Sequence, residues 1–155
     1  MASYAKNAPY TGDATTKPDA FPYTSEVTGT ACVSEDGEGI IFTGSLKGLE
    51  ESVTGGFHIH AGTSCDDNDS QGGHYYKATV PTCGVGIDDP WTGTYGATYT
   101  STDQGEAAPV NVNLGLKVGE VPFTIGTDDS QCGVKGHTVI VHRSDGVRVG
   151  CGVLM

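Results

Sequence analysis

Four histidines stand in settings that could aim them at one metal ion: His58 and His60 in Gly-Phe-His-Ile-His, His74 in Gly-Gly-His-Tyr-Tyr, and His142 at the end of Thr-Val-Ile-Val-His. Neutral imidazole is the commonest metal ligand a protein offers. In a strand, alternate side chains share a face, so His58 and His60 point the same way, near enough to chelate a single ion. The same parity sorts the C-terminal pair. His142 shares a face with Ile140 and Thr138, whereas His137 lies on the opposite one. Only one of the two can join a given site, and parity alone does not choose between them. A lone His-x-His also arises from exposed alternation, so the chemistry requires the other histidines to converge on it. No histidine falls between Tyr75 and Gly136, so a second metal beside the first would find no imidazole there.

The elements that must position these residues read as strands. With 24 Gly, 7 Pro and only 17% charged residues, the composition suits short strands joined by tight turns. No stretch keeps a 3.6-residue apolar period over several turns. Strand patterns cover residues 26–34 and 39–49, joined through Glu35-Asp36-Gly37, and residues 56–61. They return over 94–101 and 107–116, with Asp103-Gln104-Gly105 as the turn, and over 137–142 and 147–154, split by Ser144-Asp145-Gly146. Residues 62–93, rich in Gly, Asp, Ser and Thr, read as a long irregular loop. Loops of that length are usually functional or disordered, and one carrying a histidine and two cysteines points to function. Residues 1–22, with Pro9, Pro18 and Pro22, read as a loosely ordered arm adding an edge strand around residues 4–10. Residues 23–155 form the domain proper. At 155 residues a single core is expected. The fold class is all-β: about eight strands in a Greek-key sandwich or flattened antiparallel barrel, with a long metal-site loop.

Charge and cysteines narrow the setting. The formal net charge is −11, so phosphate backbones and anionic membranes are repelled, and an anionic substrate needs a local positive spot. No apolar run approaches the ~18 residues of a membrane span. Cys32, Cys65, Cys83, Cys132 and Cys151 include no Cys-x-x-Cys pair, which argues against a structural zinc site. The cysteine load and acidic surface lean toward an extracellular or cell-surface location. Met1-Ala2 reads as an expression start, with a leader removed or the domain cut from a longer chain.

The motifs, taken in order, resemble the Cu/Zn superoxide dismutase family. They are Gly44-Ser45-Leu46-Lys47-Gly48-Leu49, Gly55-Gly56-Phe57-His58-Ile59-His60, Cys65, Gly73-His74-Tyr75, Thr138-Val139-Ile140-Val141-His142 and Arg148-Val149-Gly150-Cys151-Gly152-Val153. The resemblance implies that His58, His60, His74 and His142 are the copper ligands, a set that suits copper by ligand softness. It implies a Cys65–Cys151 disulfide tying the long loop to the last strand. It also implies that Arg148 draws superoxide to the metal and that His74 carries a proton. His137 is then a hydrogen-bonded strand histidine, Trp91 a packing residue, and a Cys83–Cys132 bridge leaves Cys32 buried and free.

Two departures from that family stand out. Its zinc positions fall near Trp91 and Thr94, where no histidine is present, and Asp88 and Asp89 alone make a poor zinc site. Residues 143–147 are also too few for the family's long electrostatic loop. Both losses resemble the copper-only superoxide dismutases and the related copper-only repeat domains. The expected function is therefore disproportionation of superoxide at one solvent-open copper, without zinc. The alternatives are a copper storage, buffering or transfer domain and a structural repeat in which copper is incidental. The far nitrogen of His74, with no zinc on it, needs another partner: a carboxylate of the 62–93 loop, such as Asp88 or Asp89, or a backbone carbonyl. Arg148, helped by Arg143, would supply the local positive charge. A monomer is expected, alone or as one of several tandem domains in a longer chain, with no nucleic-acid or membrane partner.

Overall fold

The alternating patterns resolve into strands throughout a computed structural model, which describes residues 2–4, 27–35, 40–76, 89, 91, 98–107, 112–113, 123, 125–127 and 133–155. Among these residues the strands are β1 (Ala2–Tyr4), β2 (Thr28–Glu35), β3 (Ile40–Lys47), β4 (Thr54–His60), β5 (Thr98–Thr100), β6 (Val112–Asn113), β7 (Thr138–His142) and β8 (Arg148–Val153). They form two four-stranded sheets, ordered β1-β2-β3-β6 and β5-β4-β7-β8, and every pairing is antiparallel. The neighbours β3–β6 and β4–β7 are not consecutive in the chain. They mark crossovers between sheets of the kind a Greek-key sandwich makes. The all-β sandwich read from the sequence is the observed fold.

Parity decides what each strand buries. In β4, Gly55, Phe57 and Ile59 are buried, and the two larger side chains enter the core between the sheets. Phe42 of β3 meets Phe57 edge-on, with ring centroids 5.2 Å apart. Such aromatic pairs prefer T-shaped contact because the ring edge is positive and the face negative. Trp91 completes this cluster against Phe42 and Phe123, and its indole N–H donates to Tyr75 O at 2.8 Å. It is the packing residue the sequence suggested. β7 is buried on both faces: Val139 and Val141 join the core, while Thr138, Ile140 and His142 face the other way.

That outer face is covered by the loop that follows β4. The loop is not wholly irregular. A single helical turn, α1 (Asn68–Gln71), is nucleated by a capping box in which Asp67 accepts from Ser70 N and Ser70 Oγ accepts from Asp67 N. The turn lies so close to the chain leaving β4 that a Cβ on Gly62 would sit 2.2 Å from the Gln71 carbonyl carbon. Gly62 N donates to Gln71 O at 3.0 Å across that contact. Cys65 is bridged to Cys151 of β8, with Cα atoms 5.7 Å apart, fastening the loop to the last strand.

Three details differ from the sequence-based expectation or fall only partly within the described residues. The first edge strand includes Ala2–Tyr4, which begins two residues before the expected 4–10 span, and pairs with β2. Of 107–116, Ala107 makes an isolated bridge to Leu46 and Val112–Asn113 pair with β3. Cys32 is half-buried rather than buried, and free. The rest of the N-terminal arm, Asp36-Gly37, Asp88, Thr94, Cys83 and Cys132 lie outside the described residues. No helix among the described residues is long and apolar enough to cross a membrane.

Candidate metal centre

Strand register brings the four histidines together. In the β4–β7 pair, His58 lies opposite Ile140 and His60 opposite Thr138, so His142, two residues beyond Ile140, sits on the same face diagonal to His58. His74 arrives from the loop through an isolated bridge to His60, secured by Tyr75 N donating to Ile59 O at 2.9 Å. One ring nitrogen from each of His58, His60, His74 and His142 lies within 4.8 Å of all the others. Gly56 provides the room: a Cβ there would approach His58 Cε1 to 2.8 Å and His142 Cβ to 3.3 Å. His137, on the opposite face, donates from Nδ1 to Ala61 O at 3.1 Å and packs on the Tyr75 ring instead. Between the two C-terminal histidines that parity left open, the geometry selects His142.

The hydrogen bonds fix how each ring faces. His60 Nδ1 meets Gly72 O at 2.9 Å, and His142 Nδ1 meets Gly146 O at 2.8 Å. A carbonyl can only accept, so both rings carry their proton on Nδ1 and turn a bare Nε2 inward. Those two Nε2 atoms are 3.2 Å apart. Two lone pairs facing each other at that distance repel unless a cation lies against them. His74 Nδ1 meets Asp89 Oδ2 at 2.6 Å, which leaves its Nε2 for the cluster as well. His58 is turned the other way: its Nε2 lies against Gly56, and its Nδ1 is buried without a hydrogen-bond partner. A buried orphan lone pair is costly unless something binds it.

Protonation does not relieve the crowding. Burial pushes the His58 ring down to about 2, with His142, His74 and His60 adding to the effect. Burial likewise takes His60 down to about 3, against an opposing hydrogen bond from Gly72. His142 is lowered for the same first reason, with Gly146 opposing. His58, His60 and His142 are thus neutral and partly desolvated, and they converge with His74, which is what a nitrogen-ligated transition metal requires. By donor chemistry and by the orphaned His58 Nδ1, the four residues fit a copper ion.

A bulge carries the arginine to the same place. The β7–β8 register slips between Val141 and His142, so that His142 lies opposite Arg148. Bulges re-aim side chains beside active sites. Arg148 is half-buried and donates from Nη1 to Asn68 O (2.9 Å) and Gln71 Oε1 (3.1 Å), and from Nη2 to Gly72 O (2.7 Å). Gly72 O therefore serves both His60 and Arg148. A groove of about 420 Å³ opens here, lined by Asn68, Asp69, Asp145, Gly146, Val147 and Arg148. Arg143, expected to help with steering, instead has its charge matched by Asp145, to which both Nε and Nη2 donate.

The sequence left the partner of His74 open among the carboxylates of the 62–93 loop, such as Asp88 or Asp89, and backbone carbonyls, and Asp89 holds that place. Asp89 is itself fixed, because its Oδ1 accepts from Trp91 N at 2.9 Å. The supports that sequence reading missed are Gln71, the carbonyls of Asn68, Gly72 and Gly146, and Tyr99, whose hydroxyl donates to His142 O at 2.9 Å. Carbonyl acceptors carry no residue signature.

Fold and site together define an all-β sandwich bearing a cluster of four imidazoles that could hold a metal ion, with an arginine beside it. No protein-family model matches the chain. It is similar to a superoxide dismutase [Cu-Zn] of Neisseria meningitidis, 29% identical over 147 residues that cover 81% of this chain and 73% of that protein. A superoxide dismutase [Cu-Zn] of Haemophilus parainfluenzae is 29% identical over 141 residues, covering 81% and 72%. Both support the resemblance to the Cu/Zn superoxide dismutase family, and neither separates its branches.

Proposed function

We propose that this chain is a superoxide dismutase domain working at a single copper without zinc. The observation that carries the proposal is the set of ring orientations: three imidazoles locked with Nε2 inward and a fourth with an orphaned Nδ1. His58, His60, His74 and His142 would hold the ion. Copper held there would supply one-electron redox chemistry, by which two superoxides and two protons give one oxygen and one hydrogen peroxide.

The chain's own residues do the rest. His60 and His142 keep their Nδ1 protons on fixed carbonyls, which orients the rings and raises their basicity toward a metal. His74 keeps its proton on Nδ1, shared with Asp89 Oδ2, and Nε2 can take up another only while that nitrogen is not holding the metal. The Asp89 carboxylate on that nitrogen supports the zinc-free form, because it already occupies the atom a second metal would need. Arg148 has three of its N–H groups committed to oxygens and keeps those on Nε and Nη2 for an anion. The Cys65–Cys151 disulfide is compatible with the oxidising, extracellular setting proposed.

The test is metal analysis after exposure to copper and zinc together, followed by pulse-radiolysis measurement of superoxide decay. One copper and no zinc per chain, with decay near the diffusional range, is the expected result. Zinc retained beside copper would overturn the zinc-free reading. A stable copper that leaves superoxide decay unchanged would make this a copper-holding domain instead.

A further inference from the structure

Gln71 is completely buried, yet half of its side-chain amide has no partner. Its backbone is pinned on both sides: N donates to Asp67 O at 3.2 Å, and O accepts from Gly62 N at 3.0 Å and Thr138 Oγ1 at 3.1 Å. The side chain therefore leaves a fixed Cα. Its Oε1 makes one hydrogen bond, to Arg148 Nη1, while Nε2 makes none. Reversing the amide would set NH₂ against a guanidinium donor, so the oxygen must face the arginine. Burying an amide with an unmatched donor is unfavourable, and Met or Leu would fill the space without that cost. What a glutamine adds over them here is its bond to Arg148.

Charge explains why the residue is not a carboxylate. Glutamate would bind the guanidinium more strongly, but it would also cancel the positive charge beside the metal centre. The three oxygens that accept hydrogen bonds from Arg148 are formally neutral, Asn68 O, Gln71 Oε1 and Gly72 O, and the Asp69 carboxylate in the same groove acts on it only through space. We propose that Gln71 is a positioning residue that acts through Arg148, fixing the guanidinium plane next to His60 and His142 while leaving its charge available to an anion. The inference rests on the reading of Arg148 as the anion guide of a copper site.

Two variants of the full chain, Gln71→Met and Gln71→Glu, separate geometry from charge. The chain has only two arginines, Arg143 and Arg148, so guanidinium ¹⁵N spectra of the diamagnetic Cu(I) form report each directly. Azide titration of the Cu(II) form, followed by its absorption band, reports anion affinity. In Gln71→Met, copper is retained, the Arg148 signals collapse to those of a freely rotating side chain, and azide affinity falls roughly tenfold or more, as loss of one charge-assisted hydrogen bond implies. In Gln71→Glu, Arg148 stays ordered but azide affinity falls, because the added carboxylate offsets its charge. Wild-type Arg148 order and azide affinity in Gln71→Met would overturn the proposal, as would wild-type azide affinity in Gln71→Glu. Should Gln71→Met fail to fold, the azide titration of Gln71→Glu decides. If Arg148 loosens as expected while the wild-type copper form dismutes no superoxide, the positioning role stands and the dismutase reading falls.

Discussion

At the scale of the residue, Asp89 and the buried rings carry the sharpest expectations. Asp89 is the group that tells His74 which nitrogen keeps its proton, and it is itself held by Trp91 N. Partners of this kind contribute on the order of 10- to 100-fold in metal affinity or activity. Asp89→Ala should lower copper affinity within that range, read by competition with a chelator, and leave the fold intact by circular dichroism. Unchanged affinity would mean that His74 needs no orienting partner. The rings themselves predict the acid response of the metal-free protein. His58 and His60 sit far below 6.5 when folded, at about 2 and about 3. The unfolded chain then binds more protons than the folded one across the window from 6.5 down to about 3. Their stabilising share is complete above pH 6.5 and lost as pH falls through that window, a change of order a few kcal/mol. Thermal melts of the metal-free protein should show Tm falling from pH 7 to pH 4. The fall should be shallower in a His58→Asn, His60→Gln double variant; equal slopes would show that the rings do not govern it.

At the scale of the element, the disulfide joins the loop to β8 across a sequence separation of 86. A closure that long constrains the unfolded chain by about 4–5 kcal/mol in the chain-entropy picture, with ~2–5 kcal/mol the usual measured cost of losing it. Cys65→Ser with Cys151→Ser should lower urea-unfolding stability by that amount. It should also lower anion affinity at the copper, since Asn68 O, Gln71 Oε1 and Gly72 O, which hold Arg148, all lie on the fastened loop. Strands, and the histidines on them, were legible because alternation is a direct consequence of pleating: that His58 and His60 share a face, and that only one of His137 and His142 can join them, follow from parity, while the choice of His142 came from the family resemblance. The loop was legible only as a loop. α1 was missed because four residues carry no period, although the Asp67-to-Ser70 capping spacing was there to be seen. The bulge that brings Arg148 opposite His142 has no signature in the residues that form it. Backbone carbonyls at Asn68, Gly72 and Gly146 are equally silent, since any residue supplies one.

At the scale of the whole molecule, two electrostatic terms of opposite sign meet an approaching superoxide. The net charge of −11 repels it from a distance. Arg148, beside the rings and half-sheltered from water, attracts it locally, while Arg143 is offset by Asp145 and Lys47 by Glu106. Range separates the two terms. Screening lengths shrink from about 30 Å at 0.01 M salt to about 8 Å at 0.15 M, so salt removes the dispersed repulsion first and the short attraction last. Arg148→Ala should retain copper and lose activity by about tenfold or more, the low end of what focused charge contributes to association. That variant keeps only the repulsion, so its rate should rise as salt is added from 0.01 to 0.15 M. The wild-type slope should lie below the variant's, because salt weakens its attraction as well. Plotted as the logarithm of rate against the square root of ionic strength, the two lines converge; parallel lines would mean that Arg148 contributes no field at the metal.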